Sequence, residues 1–158
     1  MRVDVEQRAM KAKEYFCEGY NCAQSVVLAY SDFFSQDASS LASLSAPFGG
    51  GMGRLREVCG AVSGMSMIAG ALTASSNPLD PSSKKNCYAL VQNFAEKFRE
   101  MNGAIVCRTL LGLDREKDVP IPEARTEQYY KKRPCAMLVA DAARIVGEYL
   151  NNLPENIR

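Results

Sequence analysis

Between Pro47 and Ala74 the chain reads P-F-G-G-G-M-G-R-L-R-E-V-C-G-A-V-S-G-M-S-M-I-A-G-A-L-T-A. Glycine gives the backbone freedom and lets neighbours approach where a side chain would block them. Gly49, Gly50, Gly51 and Gly53 therefore predict a tight turn. The small residues Gly60, Ala61, Ser63 and Gly64 then open a helix that other elements can approach closely, and apolar or small residues occupy nearly every face of it. Such a helix has to be buried, so any fold for this chain is built around it. Cys59 stands at its entrance. A helix beginning near Glu57 or Val58 puts this thiol in the first turn, where unpaired N–H groups and the positive dipole end favour a thiolate. A buried small residue is the plainer reading of the same position.

The remainder of the chain reads as consecutive helices without strand alternation. Val5 to Glu18 carries Val5, Ala9, Ala12 and Phe16 on one face and stops at Gly19. Asn21 caps the next helix with Gln24 three residues on, and Cys22, Val26, Ala29, Tyr30 and Phe33 follow at helical spacing. Ser35 to Ala46 is a connector with room for one short helix. Asp80-Pro81 starts a helix striped by Cys87, Leu90, Val91, Phe94, Phe98 and Met101, which Asn102-Gly103 closes. Ala104 to Leu111 holds two turns around Cys107. Residues 114–133 mix acidic and basic side chains with Pro120 and Pro122 and read as a solvated excursion. The strip Tyr129, Tyr130, Lys131, Lys132 and Arg133 within it reads as a solvated edge rather than an aromatic-basic binding strip. Pro134 begins a last helix whose stripe is Cys135, Leu138, Val139, Ala142, Ile145, Val146 and Tyr149. These elements predict an all-α, single-domain helical bundle over residues 1–158, with five or six main helices and a central buried helix at Val58–Ala74.

One regularity links the helices. Cys22, Cys59, Cys107 and Cys135 each fall near the start of a separate one, so packing the stripes together draws the thiols toward one end of the bundle. Cys59, with a glycine-rich entrance able to aim N–H groups at its sulfur, is expected to have the lowest thiol pKa and to act as nucleophile. Cys22, Cys107 or Cys135 is then its resolving partner. Cys17, at a helix end, and Cys87, inside a helix, fit less well.

The segments G-Y-N-C-A-Q-S-V at 19–26, F-G-G-G-M-G at 48–53, C-G-A-V-S-G at 59–64, C-R-T-L-L-G at 107–112 and the late P-C resemble the redox-active protein family named for its motif, C_GCAxxG_C_C. The resemblance implies a small helical protein with four characteristic cysteines, which correspond here to Cys22, Cys59, Cys107 and Cys135. It implies no defined reaction. Some members are encoded near transporters, so the partners it implies are a redox partner or a transporter-associated protein. Cys17 and Cys87 lie outside the pattern.

Composition narrows the chemistry. The 158 residues contain no histidine, which excludes Ser-His and Cys-His catalysis and every zinc site with a histidine ligand. Nineteen basic against eighteen acidic residues give a net charge of +1, with no excess for a nucleic-acid backbone. The N-terminus lacks the apolar core of a signal peptide, and Val58–Ala74 is too weakly apolar for a membrane span, so the expected compartment is the cytoplasm. Six cysteines there stay mostly reduced. The loop G-G-G-M-G-R matches neither a P-loop nor a dinucleotide fingerprint.

Three functions remain open: a cytoplasmic thiol/disulfide redox protein working through the four cysteines, a metal-binding protein whose four thiolates hold zinc or an iron–sulfur cluster, and a non-catalytic helical interaction module. No C-x-x-C pair supports the second. Exposed methionines or aromatics would support a homodimer. Whether the chain is an enzyme, and which substrate and electron donor it uses, stays open at this level.

Overall fold

A computed structural model describes residues 2–113 and 117–155. Its elements are α1 (Val5–Cys17), α2 (Cys22–Ala29), α3 (Ala38–Ser45), α4 (Gly49–Met52), α5 (Gly60–Thr73), α6 (Pro81–Asn102), α7 (Cys107–Leu110), α8 (Glu127–Lys132) and α9 (Cys135–Asn152), with short 3-10 turns at Ser31–Phe33 and Ala46–Phe48. Among the described residues the only extended pairing is an antiparallel bridge between Val58 and Val106. None of the described helices is long and apolar enough to cross a membrane.

Local chemistry sets most helix starts. The Asp4 side chain accepts from Gln7 N–H, Asp37 from Ser40, Asp80 from Ser83 and Thr126 from Tyr129. Asn21 and Gln24 exchange both bonds of a capping box, at 3.0 and 2.9 Å. Asp80 is followed by Pro81 at the first helical position, and α6 ends on Gly103 at φ +86°. The helix after Asn21 is shorter than its periodicity predicts. It closes at Ala29, and Phe33 lies in a separate 3-10 turn.

Apolar stripes then assemble one main core. α1 packs on α9 and α2, α2 on α5 and α9, and α6 on α5 and α9. Phe16, Val26, Tyr30, Met65, Ile68, Phe94, Phe98, Val139 and Val146 meet in its centre. Burial of Phe94 and Phe98 stabilises the fold by roughly 2 kcal/mol each. Tyr30 is enclosed with its hydroxyl donating to the Ala143 carbonyl at 2.7 Å, which resolves the cost of burying a phenol. The helix α5 is buried through Gly60, Ala61, Val62, Gly64, Met65, Ile68 and Ala69, so it is central through its first three turns. The α6 stripe is narrower than predicted: Leu90, Phe94 and Phe98 are buried, Cys87 is half-buried and Met101 is exposed.

Candidate functional site

The glycine-rich turn is strained backbone with a defined task. Gly50, Gly51 and Gly53 all take positive φ, and so do Met52, Arg54 and Arg56, at 68°, 64° and 61°. Left-handed backbone costs a side-chain-bearing residue roughly 1–2 kcal/mol, and strain of this kind gathers at functional sites. Cross-turn bonds hold the path: Gly53 N–H to Pro47 O at 2.8 Å, Arg56 N–H to Gly50 O at 3.1 Å and Glu57 N–H to Gly51 O at 2.9 Å. At Gly51 a Cβ would stand 2.7 Å from the Cβ of Cys107 and 2.7 Å from the Glu57 nitrogen, so the turn can pass over Cys107 only as glycine.

The chain leaves this turn through the Val58–Val106 bridge. Cys59 N–H donates to Ile105 O at 2.8 Å, and Cys107 N–H donates to Glu57 O at 2.5 Å. Alternation along paired strands puts residues 57, 59, 105 and 107 on the face opposite Val58 and Val106. Cys59 and Cys107 are therefore presented to the same side, and both are buried. Each then leads a helix, Cys59 as the N-cap of α5 and Cys107 as the first residue of α7.

Cys22 and Cys135 come from the other direction. Cys22 is the first residue of α2 and Cys135 the first of α9, after Pro134. Gly60 sets the approach of α2 to α5, because a Cβ there would lie 3.0 Å from the Cβ of Cys22 and 2.9 Å from the Phe48 carbonyl oxygen. All four cysteines line one cavity of about 280 Å³. All six cysteines are free thiols; Cys17 is exposed, Cys87 half-buried, and neither lines the cavity.

The four thiols differ in electrostatics. The neighbouring Cys22 thiol lowers the pKa of Cys135 below the ordinary thiol value; burial opposes this, and the Arg133, Arg125 and Arg56 guanidiniums add to it. The same interaction, with burial and the neighbouring sulfurs, pushes Cys22 well up. Burial pushes Cys59 up to about 12, against the pull of the Ala61 and Val62 N–H groups. This reverses the expectation that Cys59 has the lowest pKa: enclosure outweighs the helix-start field, and Cys135 is the thiol inclined to ionise. Cys107 is raised by burial even though Arg56 Nη1 donates to its sulfur at 3.6 Å.

Arginines furnish the remaining wall. Arg54, Arg56, Arg125 and Arg133 line the cavity with Glu123 and a partly apolar lining that includes Phe16, Leu110, Tyr129 and Leu138. Arg56 is buried and pairs through Nε with Asp118 at 2.9 Å. Arg125 crosses from the strap to donate to the Phe16 and Tyr20 carbonyls at 2.7 and 2.9 Å, and its guanidinium lies 4.3 Å from the Phe16 ring centre. Arg133 holds Glu123 at 2.7 Å. Tyr129 is half-buried and pushed up to about 12 by that burial.

The segment read as a solvated excursion thus closes one side of the cavity. Residues 117–133 lay it over the thiols, while positions 114–116 lie outside the described residues. Sequence reasoning missed Arg125 and read Arg133 as part of a solvated edge. Their guanidiniums flanking a Tyr-Tyr pair were the available sign, because arginines that stack on aromatics have stopped being solvated.

The fit of a metal can be judged from the donors. Zinc or an iron–sulfur cluster needs several thiolates converging on one point. Among the described residues no group of three or more Cys, Asp or Glu side chains is arranged to hold a metal ion. One of the sulfurs, Cys107, is also engaged by a guanidinium. The metal reading does not fit this arrangement.

A family model described as "Putative redox-active protein (C_GCAxxG_C_C)" matches residues 20–149. No curated protein and no solved structure matches the chain.

Proposed function

We propose that this chain, which belongs to the C_GCAxxG_C_C family, is a thiol/disulfide redox protein in which Cys135 attacks and Cys22 resolves. The observation that carries this reading is the meeting of Cys22 and Cys135, the first residues of α2 and α9, on one arginine-lined cavity, where their interaction favours ionisation of Cys135 and disfavours that of Cys22. With no histidine in the chain, the attacking sulfur has to be activated by its surroundings, and thiol and guanidinium donors supply that.

In the forward step the Cys135 thiolate attacks one sulfur of a substrate disulfide, and the other sulfur leaves as a thiolate. The Cys22 sulfur then attacks Cys135 in the mixed disulfide. The second substrate thiol departs with the Cys22 proton, and a Cys22–Cys135 disulfide remains. Cys107, whose sulfur is bonded by Arg56, takes the disulfide on by exchange, and Cys59 completes a second pair. An external dithiol reductant returns the protein to its starting state. We assign this chemistry to the cytoplasm, where the free thiols stay reduced between turnovers.

The test is oxidation of the reduced protein by a small disulfide, followed by non-reducing peptide mass mapping. A Cys22–Cys135 disulfide is expected first, and C135A should not form it or release substrate thiol. If C135A reacts as fast as the unsubstituted chain, the assignment is wrong.

A further inference from the structure

Four guanidiniums line the cysteine cavity, and among the described residues two carboxylates pair with them. Arg133 is paired with Glu123, while Arg54 and Arg56 share Asp118. Arg125 spends its bonds on neutral groups, the Phe16 and Tyr20 carbonyls and the Tyr130 hydroxyl. The Nε of Arg54 is buried and, among the described residues, has no hydrogen-bond partner. A buried guanidinium donor without an acceptor costs free energy until one arrives. The cavity wall therefore carries a positive excess, and Arg54 within it keeps one donor without an acceptor. At about 280 Å³ it stands at the small end of ligand sites, whose volumes run roughly 300–1,000 Å³.

We propose that the substrate is a small anion whose reactive centre is a sulfur–sulfur bond, with its negative charge held by Arg54 and Arg125 and that bond presented to Cys135. This rests on the thiol-redox reading and specifies its substrate class. Two sources share the chemistry, a thiosulfate-type oxoanion and a carboxylated disulfide. With thiosulfate, the Cys135 thiolate attacks the outer sulfur and sulfite leaves, giving a Cys135 persulfide. The Cys22 sulfur then attacks the Cys135 sulfur, and hydrosulfide departs with the Cys22 proton. Two electrons pass from the thiol pair, one sulfite and one sulfide are released, and the Cys22–Cys135 disulfide forms. With a carboxylated disulfide the same two attacks release two thiols.

The experiment measures oxidation of the reduced full chain by thiosulfate, by dithiodiglycolate and by neutral hydroxyethyl disulfide. Each rate is divided by that of free dithiothreitol with the same probe, which removes intrinsic reactivity. An advantage of about tenfold or more is expected for at least one anion over the neutral probe, the scale of one charge-assisted hydrogen bond. Preference for thiosulfate, with sulfite and sulfide in equal amounts, identifies the oxoanion; preference for dithiodiglycolate identifies the carboxylate. R54Q should cut the anion-to-neutral ratio about tenfold, and R125Q should do the same if it folds. Equal or greater normalised reactivity of the neutral probe overturns the substrate class while leaving the thiol reading standing. If none of the three probes oxidises the Cys22–Cys135 pair, the thiol reading falls and this inference with it.

Discussion

Cys22 and Cys135 line one cavity close enough for each to alter the other's ionisation, Cys135 toward the thiolate and Cys22 away from it. The two are the first residues of α2 and α9, positions whose backbone N–H groups also favour negative charge. In the proposed reaction the pair divides the labour that two identical thiols would otherwise share, because a low-pKa sulfur attacks well and a protonated neighbour waits to resolve.

Alkylation of the reduced, folded protein near neutral pH should therefore find Cys135 first among the cavity thiols. C22A removes the donor and is expected to slow alkylation of Cys135 about tenfold. C22S keeps a hydroxyl donor at the same place and should retain most of the reactivity. Site-resolved alkylation read by peptide mass checks both. Equal rates in C22A and the unsubstituted chain would show that the contact does not activate Cys135.

The buried Cys59 thiol gives a pH signature of the opposite kind. Its pKa rises on folding from an ordinary 9.0 to about 12. Above pH 9 the unfolded chain loses this proton while the folded chain keeps it, so the associated stability is complete below pH 9 and is lost as pH rises toward 12. Urea midpoints should fall across that window. The fall should be shallower in C59A, which has no proton to lose there.

Arg56 holds the sulfur of Cys107 and the carboxylate of Asp118 together from a left-handed backbone position. Replacing it by methionine takes from the largely enclosed Asp118 carboxylate one of its guanidinium partners, which is expected to cost about 1–3 kcal/mol. R56K keeps the charge but not the fork that spans both acceptors, so it should recover only part of the loss. Denaturant unfolding of the two variants against the unsubstituted chain tests this ordering.

Gly51 should tolerate no side chain. Alanine there combines φ +69° with a Cβ at 2.7 Å from the Cys107 Cβ, and the expected loss is about 2–4 kcal/mol. Cys107 should also become more reactive to alkylation, since relief of the clash moves it outward. Thermal melting and alkylation of G51A measure the two effects separately.

What could be read from the sequence was local. Asn21 with Gln24, and Asp80 with Pro81, announce helix starts because capping chemistry acts over three or four residues. The stripes through Phe16, Phe94 and Val139 follow a fixed helical period, which is why the all-α bundle and the helix-leading positions of the cysteines could be anticipated. The placement of Arg125 and Asp118 could not. They reach the site from a strap of irregular backbone, Arg125 toward Phe16 and Asp118 toward Arg56, and no periodicity links residues so distant in the chain. The Cys59 pKa was misjudged for the same reason. The helix-start field is visible within a few residues of sequence, whereas the enclosure that overrides it is contributed by other parts of the fold.

Because the four cysteines lead four different helices, the cavity has no local precursor along the chain. During synthesis Cys22 and Cys59 leave the ribosome long before Cys135, and closing contacts across such separations is the slow part of folding. Until α9 docks, Cys22 has no Cys135 to bond, and the nascent thiols are ordinary ones. The proposed reactivity is thus acquired only once α9 has docked, so a chain caught before that step lacks it however much helix it has formed.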